Sequence, residues 1–101
     1  MASLQQVQQL AKQGNPKAIA VLLNHSLSKE GLQSTVSRYR EELRIKLTGS
    51  KAPNRDWIQR LEVGLKRLGM SGIQQVQIQA FQDEHPQQAV WQHTHRVTTK
   101  L

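Results

Sequence analysis

The chain has no cysteine, an absence that removes disulfides, thiolate-bound zinc, iron–sulfur clusters and thiol nucleophiles together. Aromatic side chains are nearly as scarce, with Tyr39, Trp57, Phe81 and Trp91 making up the whole set. A function that stacks several bases on exposed rings therefore has little to build on. Long apolar runs are missing as well. The longest aliphatic stretch, Ala18–Leu23, falls far short of the roughly 20 residues that span a bilayer. Met1–Gln9 is rich in glutamine, four of nine residues, and shows no basic-then-apolar leader, so the expectation is a soluble, cytoplasmic module without direct membrane insertion. Acidic residues are few, seven against 14 Lys and Arg, which leaves a formal charge of +7 on 101 residues. That length suits one domain, 1–101. The surplus charge favours an acidic partner: nucleic acid, an anionic protein face or a membrane surface.

Signatures of catalysis are also lacking. No GxSxG elbow, HExxH pair, P-loop or dinucleotide glycine fingerprint occurs. Glu41-Glu42 and Asp83-Glu84 are adjacent pairs in expected turns, a poor arrangement for sharing a pocket. The expectation is a chain that is not an enzyme and needs no cofactor. His93-Thr94-His95 sets two imidazoles on one face of a strand, with His85 nearby in sequence. A metal site wants a third ligand and an orienting partner for each ring. No acid is obviously positioned, although Asp83 and Glu84 adjoin. These histidines are therefore expected on the sheet face, without a metal.

Periodicity supplies the architecture. Ser3 as a cap and Leu4, Val7, Leu10 and Ala11 at helical spacing predict a helix over 3–13, stopped by Gly14. Asn15-Pro16 restarts a helix, Asn as cap and Pro at the first turn, with Ile19, Leu22, Leu23 and Ser26 on one face and an end before Gly31. Leu32–Tyr39 and an alternating Leu43, Ile45, Leu47 segment predict a hairpin turning at Arg40-Glu41-Glu42. The strongest helix spans Arg55 to Leu68, capped by Asn54 and stopped by Gly69. Trp57, Ile58, Leu61, Gly64, Leu65 and Leu68 share one side, and Gln59, Arg60, Val63, Lys66 and Arg67 the other. Ile73–Phe81 alternates as a strand, and Ala89–Val97 follows with Trp91, His93, His95 and Val97 on one face. The chain thus reads as two α-β-β units, 15–48 and 54–97, behind an N-terminal helix. The fold class expected is α+β, a four-stranded antiparallel sheet with helices packed on one face.

Nine of the 14 cations lie between Arg38 and Arg67. The polar face of the hairpin and the exposed side of the central helix are expected to join in one basic patch. Arg38, Arg40, Arg44, Lys46, Arg60 and Arg67 are its candidate contacts, with Val63 as a small apolar anchor. Ordinary solvated charge is the plainer alternative. Phosphate backbones would be held by such a patch without sequence readout, which keeps a nucleic-acid-binding domain in view. No RNP-like aromatic run or GxxG loop accompanies it. An acidic protein surface fits as well, because the patch would steer encounter and fix orientation.

The segment from Leu10 to Asn24 (LAKQGNPKAIAVLLN) resembles the opening of small cyanobacterial α/β domains. Gly64-Leu65, Leu68-Gly69, Ile73-Gln74-Gln75-Val76 and the strand led by Trp91 look like the second half of the same domain. Among such basic chains, this one looks most like the V-subunit family of the photosynthetic NAD(P)H dehydrogenase-like complex. That resemblance implies a cofactor-free accessory subunit of a multi-subunit redox complex. It would sit at the cytoplasmic face of the thylakoid membrane, where acidic ferredoxin delivers electrons. The last strand departs from the pattern: His95 stands where a larger apolar residue is usual, and Arg96 where an acid is.

Overall fold

Asn15 opens the first long helix as its sequence implies. Its Oδ1 accepts from the Ala18 backbone N–H at 3.2 Å, and Pro16 occupies the first turn, where no N–H is needed. The computed structural model describes residues 4–69, 72–85 and 87–96, so the expected cap at Ser3 and strand residue Val97 lie outside the described residues. Helix α1 is Leu4–Lys12, α2 is Pro16–Leu27, and a short 3-10 turn covers Ser28–Glu30. Strands β1 (Leu32–Tyr39) and β2 (Glu42–Gly49) follow, then α3 (Asp56–Leu68), β3 (Gln75–Gln82) and β4 (Trp91–Arg96). Asn54 Oδ1 accepts from the Asp56 N–H at 2.8 Å just ahead of α3. The N-cap of α3 is Arg55, not the expected Asn54, and carries no side-chain bond; the Gly69 N–H closes the other end on the Leu65 carbonyl.

The four strands form one sheet in the order β1-β2-β3-β4. Both hairpins are antiparallel, as expected, but the central pair β2–β3 is parallel, so the sheet is mixed and the expectation of four antiparallel strands is corrected at that joint. The cause is connectivity. A strand that leaves through a helix on one face and returns beside itself must run in its original direction. Register then aligns the inner-face residues in rows across the sheet: Val36, Ile45, Ile78 and His93 in one, and Ser34, Leu47, Ala80 and Trp91 in the next.

The helices lie on a single face. Leu43, Ile45, Leu47, Val76 and Ile78 are all essentially inaccessible beneath them, together with Ile19 and Leu27 of α2. Burial of each such side chain contributes about 1.5–3 kcal/mol. On α3, Trp57, Leu61 and Leu65 are buried while Gly64 is exposed. Helix α1 covers less than its pattern implies, since Ala11 alone is fully buried and Leu4 and Leu10 face solvent.

Side-chain hydrogen bonds tie each edge strand to the helical side of the sheet. Asn24 of α2 reaches outer strand β1, its Oδ1 accepting from the Ser34 N–H at 2.7 Å and from Ser34 Oγ at 2.9 Å. An otherwise open strand edge is thereby occupied. At the far edge the Trp91 indole N–H donates to the Pro53 carbonyl at 2.7 Å, joining β4 to the lead-in of α3.

Candidate interaction surface

Alternation places Arg44 and Lys46 opposite the buried Leu43, Ile45 and Leu47, on the sheet face that the helices leave open. The same face carries Thr35, Ser37, Gln75, Gln77, Gln79, Gln92, Thr94 and Arg96. Arg96 on β4 stands two strands away in the row of Glu42 and Gln75, which puts it about 12 Å from Arg44 and about 16 Å from Lys46. Glu42 is the one carboxylate on the described strands of this face, and it accepts from Arg44 Nε at 3.0 Å. Lys46 Nζ sits 4.6 Å from the Phe81 ring centroid, so its stem covers the ring and Phe81 is nearly inaccessible. At one end, Arg40 lies over the exposed Tyr39 ring at 5.5 Å.

The expected single patch does not form. Arg60, Val63 and Arg67 belong to the outer stripe of α3, on the opposite side of the sheet from Arg44 and Lys46. The reason is geometric: α3 packs on the very face from which Arg44 and Lys46 point away. Arg60 is further engaged, stacking on Trp57 at 4.2 Å and donating from Nη1 to Glu30 Oε2 at 3.1 Å. Val63 and Arg67 are exposed. Val63 stands outside the apolar groove of about 280 Å³ between α2 and α3, whose walls include Leu22, Leu23, Trp57, Gly64 and Leu68.

Arg38 has a structural task. It occupies an even, helix-side position of β1, and its guanidinium donates to four backbone carbonyls: Arg40 at 2.8 Å, Gln13 at 3.0 Å, and Gly14 and Gly72 at 3.3 Å. A positive charge also suits the carbonyl end of α1. Gly72 is fitted to it, with φ +77° and a hypothetical Cβ only 2.9 Å from Arg38 Nη2. The bond to the Arg40 carbonyl holds a tight turn in which Arg40 itself takes φ 56°, unusual for a side-chain-bearing residue. Arg38 is therefore a clamp joining α1, the first hairpin and the approach to β3.

No known protein family, curated protein or solved structure matches this chain. The surface must be read from its own chemistry. No described helix is long and apolar enough to cross a membrane. Among the described residues, the open face offers an array of neutral amides and hydroxyls, three cations and a single acid that is already partnered. Arg96 completes it, and its place could have been inferred by setting Ala89–Val97 in register beside Ile73–Phe81.

Sequence reasoning missed one more cluster. Glu62, at the border between the apolar and polar sides of α3, meets His93 Nε2 at 2.7 Å and His95 Nδ1 at 3.4 Å. The acid that the two histidines lacked comes from a helix some thirty residues earlier.

Proposed function

We propose that this chain is a non-catalytic interaction module that presents its open sheet face to an acidic protein partner. The observation that carries the reading is the face itself, with Arg44 and Lys46 on β2 and Arg96 on β4 set among glutamine and threonine and opposed, on the described strands, by Glu42 alone, which shares its row with Arg96. Such a surface steers an anionic partner into contact and favours fast, weak docking over a large apolar seal. The sequence resemblance names the first partner to try. It is an acidic ferredoxin at the cytoplasmic arm of a photosynthetic NAD(P)H dehydrogenase-like complex, with this chain as a peripheral accessory subunit.

Retention of ferredoxin and of the complex on the immobilised chain, at low and high salt, tests the reading. Arg44→Glu/Lys46→Glu is expected to lower retention at least about tenfold, and Lys66→Glu/Arg67→Glu on the opposite side to change it by no more than about threefold. Equal loss from both pairs, or retention indifferent to salt, refutes it. A second reading, nucleic-acid binding, draws support from the exposed Tyr39 ring beside Arg40 at the end of the cationic face, a place where one base could stack. It requires retention on heparin, a shift of labelled single-stranded RNA or DNA with a steep salt slope, and loss of that shift in Tyr39→Ala.

A further inference from the structure

We propose that Glu62, His93 and His95 form a divalent transition-metal site, with zinc as its ion, that fastens helix α3 to edge strand β4. The site lies on the helix-covered side of the sheet and is independent of the docking face. His93 and His95 stand two residues apart on the inner face of β4, where their cross-strand neighbours are the buried Ile78 and Val76. Their rings are nearly parallel, 19° between planes and 6.5 Å between centroids, so both present nitrogen toward the same space. Glu62 enters that space from α3, with one carboxylate oxygen 2.7 Å from His93 Nε2 and 3.4 Å from His95 Nδ1. One donor atom from each residue lies within 4.8 Å of the other two.

A tetrahedral ion with bonds of about 2.1 Å holds its donors roughly 3.4 Å apart. The observed contacts of 2.7 and 3.4 Å, with all three donors within 4.8 Å, lie near that spacing, so the proposed site calls for side-chain rotations that bring the three onto one centre. Two imidazoles and a carboxylate suit zinc and its neighbours in the first transition row; magnesium and calcium prefer oxygen ligands in larger number. Three protein ligands leave a fourth position open to water or to a ligand from outside. The donors belong to a helix and a strand far apart in sequence, so they converge only in the folded chain. Binding is therefore linked to folding and raises stability.

The test uses the full chain without a polyhistidine tag, titrated with Zn2+ and, for its absorption bands, Co2+. One ion per chain is expected, with a dissociation constant on the order of 10 µM or tighter and a rise in Tm of about 5 °C or more. Magnesium and calcium are expected to give no shift. His95→Gln, His93→Gln and Glu62→Gln are each expected to weaken binding at least about tenfold. His25→Gln/His85→Gln is expected to leave it unchanged. His95 has nearly half its side-chain surface in solvent, so its variant keeps the core intact, which circular dichroism checks. Imidazole 15N resonances are expected to move for His93 and His95 alone, an observation that needs no substitution. No binding at 1 mM Zn2+, binding that survives His93→Gln/His95→Gln, or resonance shifts at His25 or His85 instead would overturn the site.

Discussion

Replacing Arg38 by methionine keeps the aliphatic stem and removes a guanidinium that donates to four carbonyls. A buried charge-assisted hydrogen bond contributes about 1.5–3 kcal/mol, but this group is largely in contact with water, so about 0.5 kcal/mol for each bond is the fitting scale. The sum is about 2 kcal/mol, in which the favourable placement at the end of α1 is included. For a domain of this size that lowers Tm by roughly 10 °C. Urea unfolding followed by the fluorescence of the buried Trp57 and Trp91 measures the loss. A double-mutant cycle sharpens the result. Gly72→Ala should cost about 1–2 kcal/mol in the native background, through its positive φ and the approach of its Cβ to Nη2, and less in Arg38→Met, where that approach is gone. A loss under about 0.5 kcal/mol for Arg38→Met, or strict additivity in the cycle, would refute the clamp. The consequence for function is direct: charge reversal at Arg38 weakens partner binding only by way of stability, whereas reversal at Arg44 and Lys46 does so with the fold intact.

Three further outcomes are expected. Asn24→Ala should destabilise by about 1–3 kcal/mol, because the Ser34 N–H and hydroxyl lose their shared acceptor at the β1 edge; amide exchange at Ser34 should quicken accordingly. Trp91→Phe should cost about 1–3 kcal/mol in chemical denaturation, since the Pro53 carbonyl is left without its indole donor, and a change within error would show that water replaces it. Ile45→Ala, at the centre of the core, should cost about 2–5 kcal/mol, the largest of these effects, as read from the denaturation midpoint.

Much of the fold was legible in local chemistry. Asn15-Pro16 and Gly69 fixed helix ends through capping that involves only neighbouring residues. The alternation of Leu43, Ile45 and Leu47, and of Val76, Ile78 and Ala80, fixed which side of each strand faces the core. The candidate site was legible only in part. Identical periodicity arguments put Arg44 outward and Arg60 on the polar side of α3, yet gave no information on whether those two polar sides coincide.

The amino-acid order by itself determined the order of helices and strands, the cap of α2 and the apolar faces of β2, β3 and α3, because each depends on contacts within a few residues. Which residues of α1 are buried was decided by packing. Tertiary structure decided the parallel joint between β2 and β3, which follows from where α3 crosses. It separated the hairpin cations from those of α3 by placing the sheet between them. It turned Arg38 inward onto carbonyls from three separate segments and carried Glu62 to His93 and His95. Those are encounters between residues distant along the chain, and no local pattern encodes them.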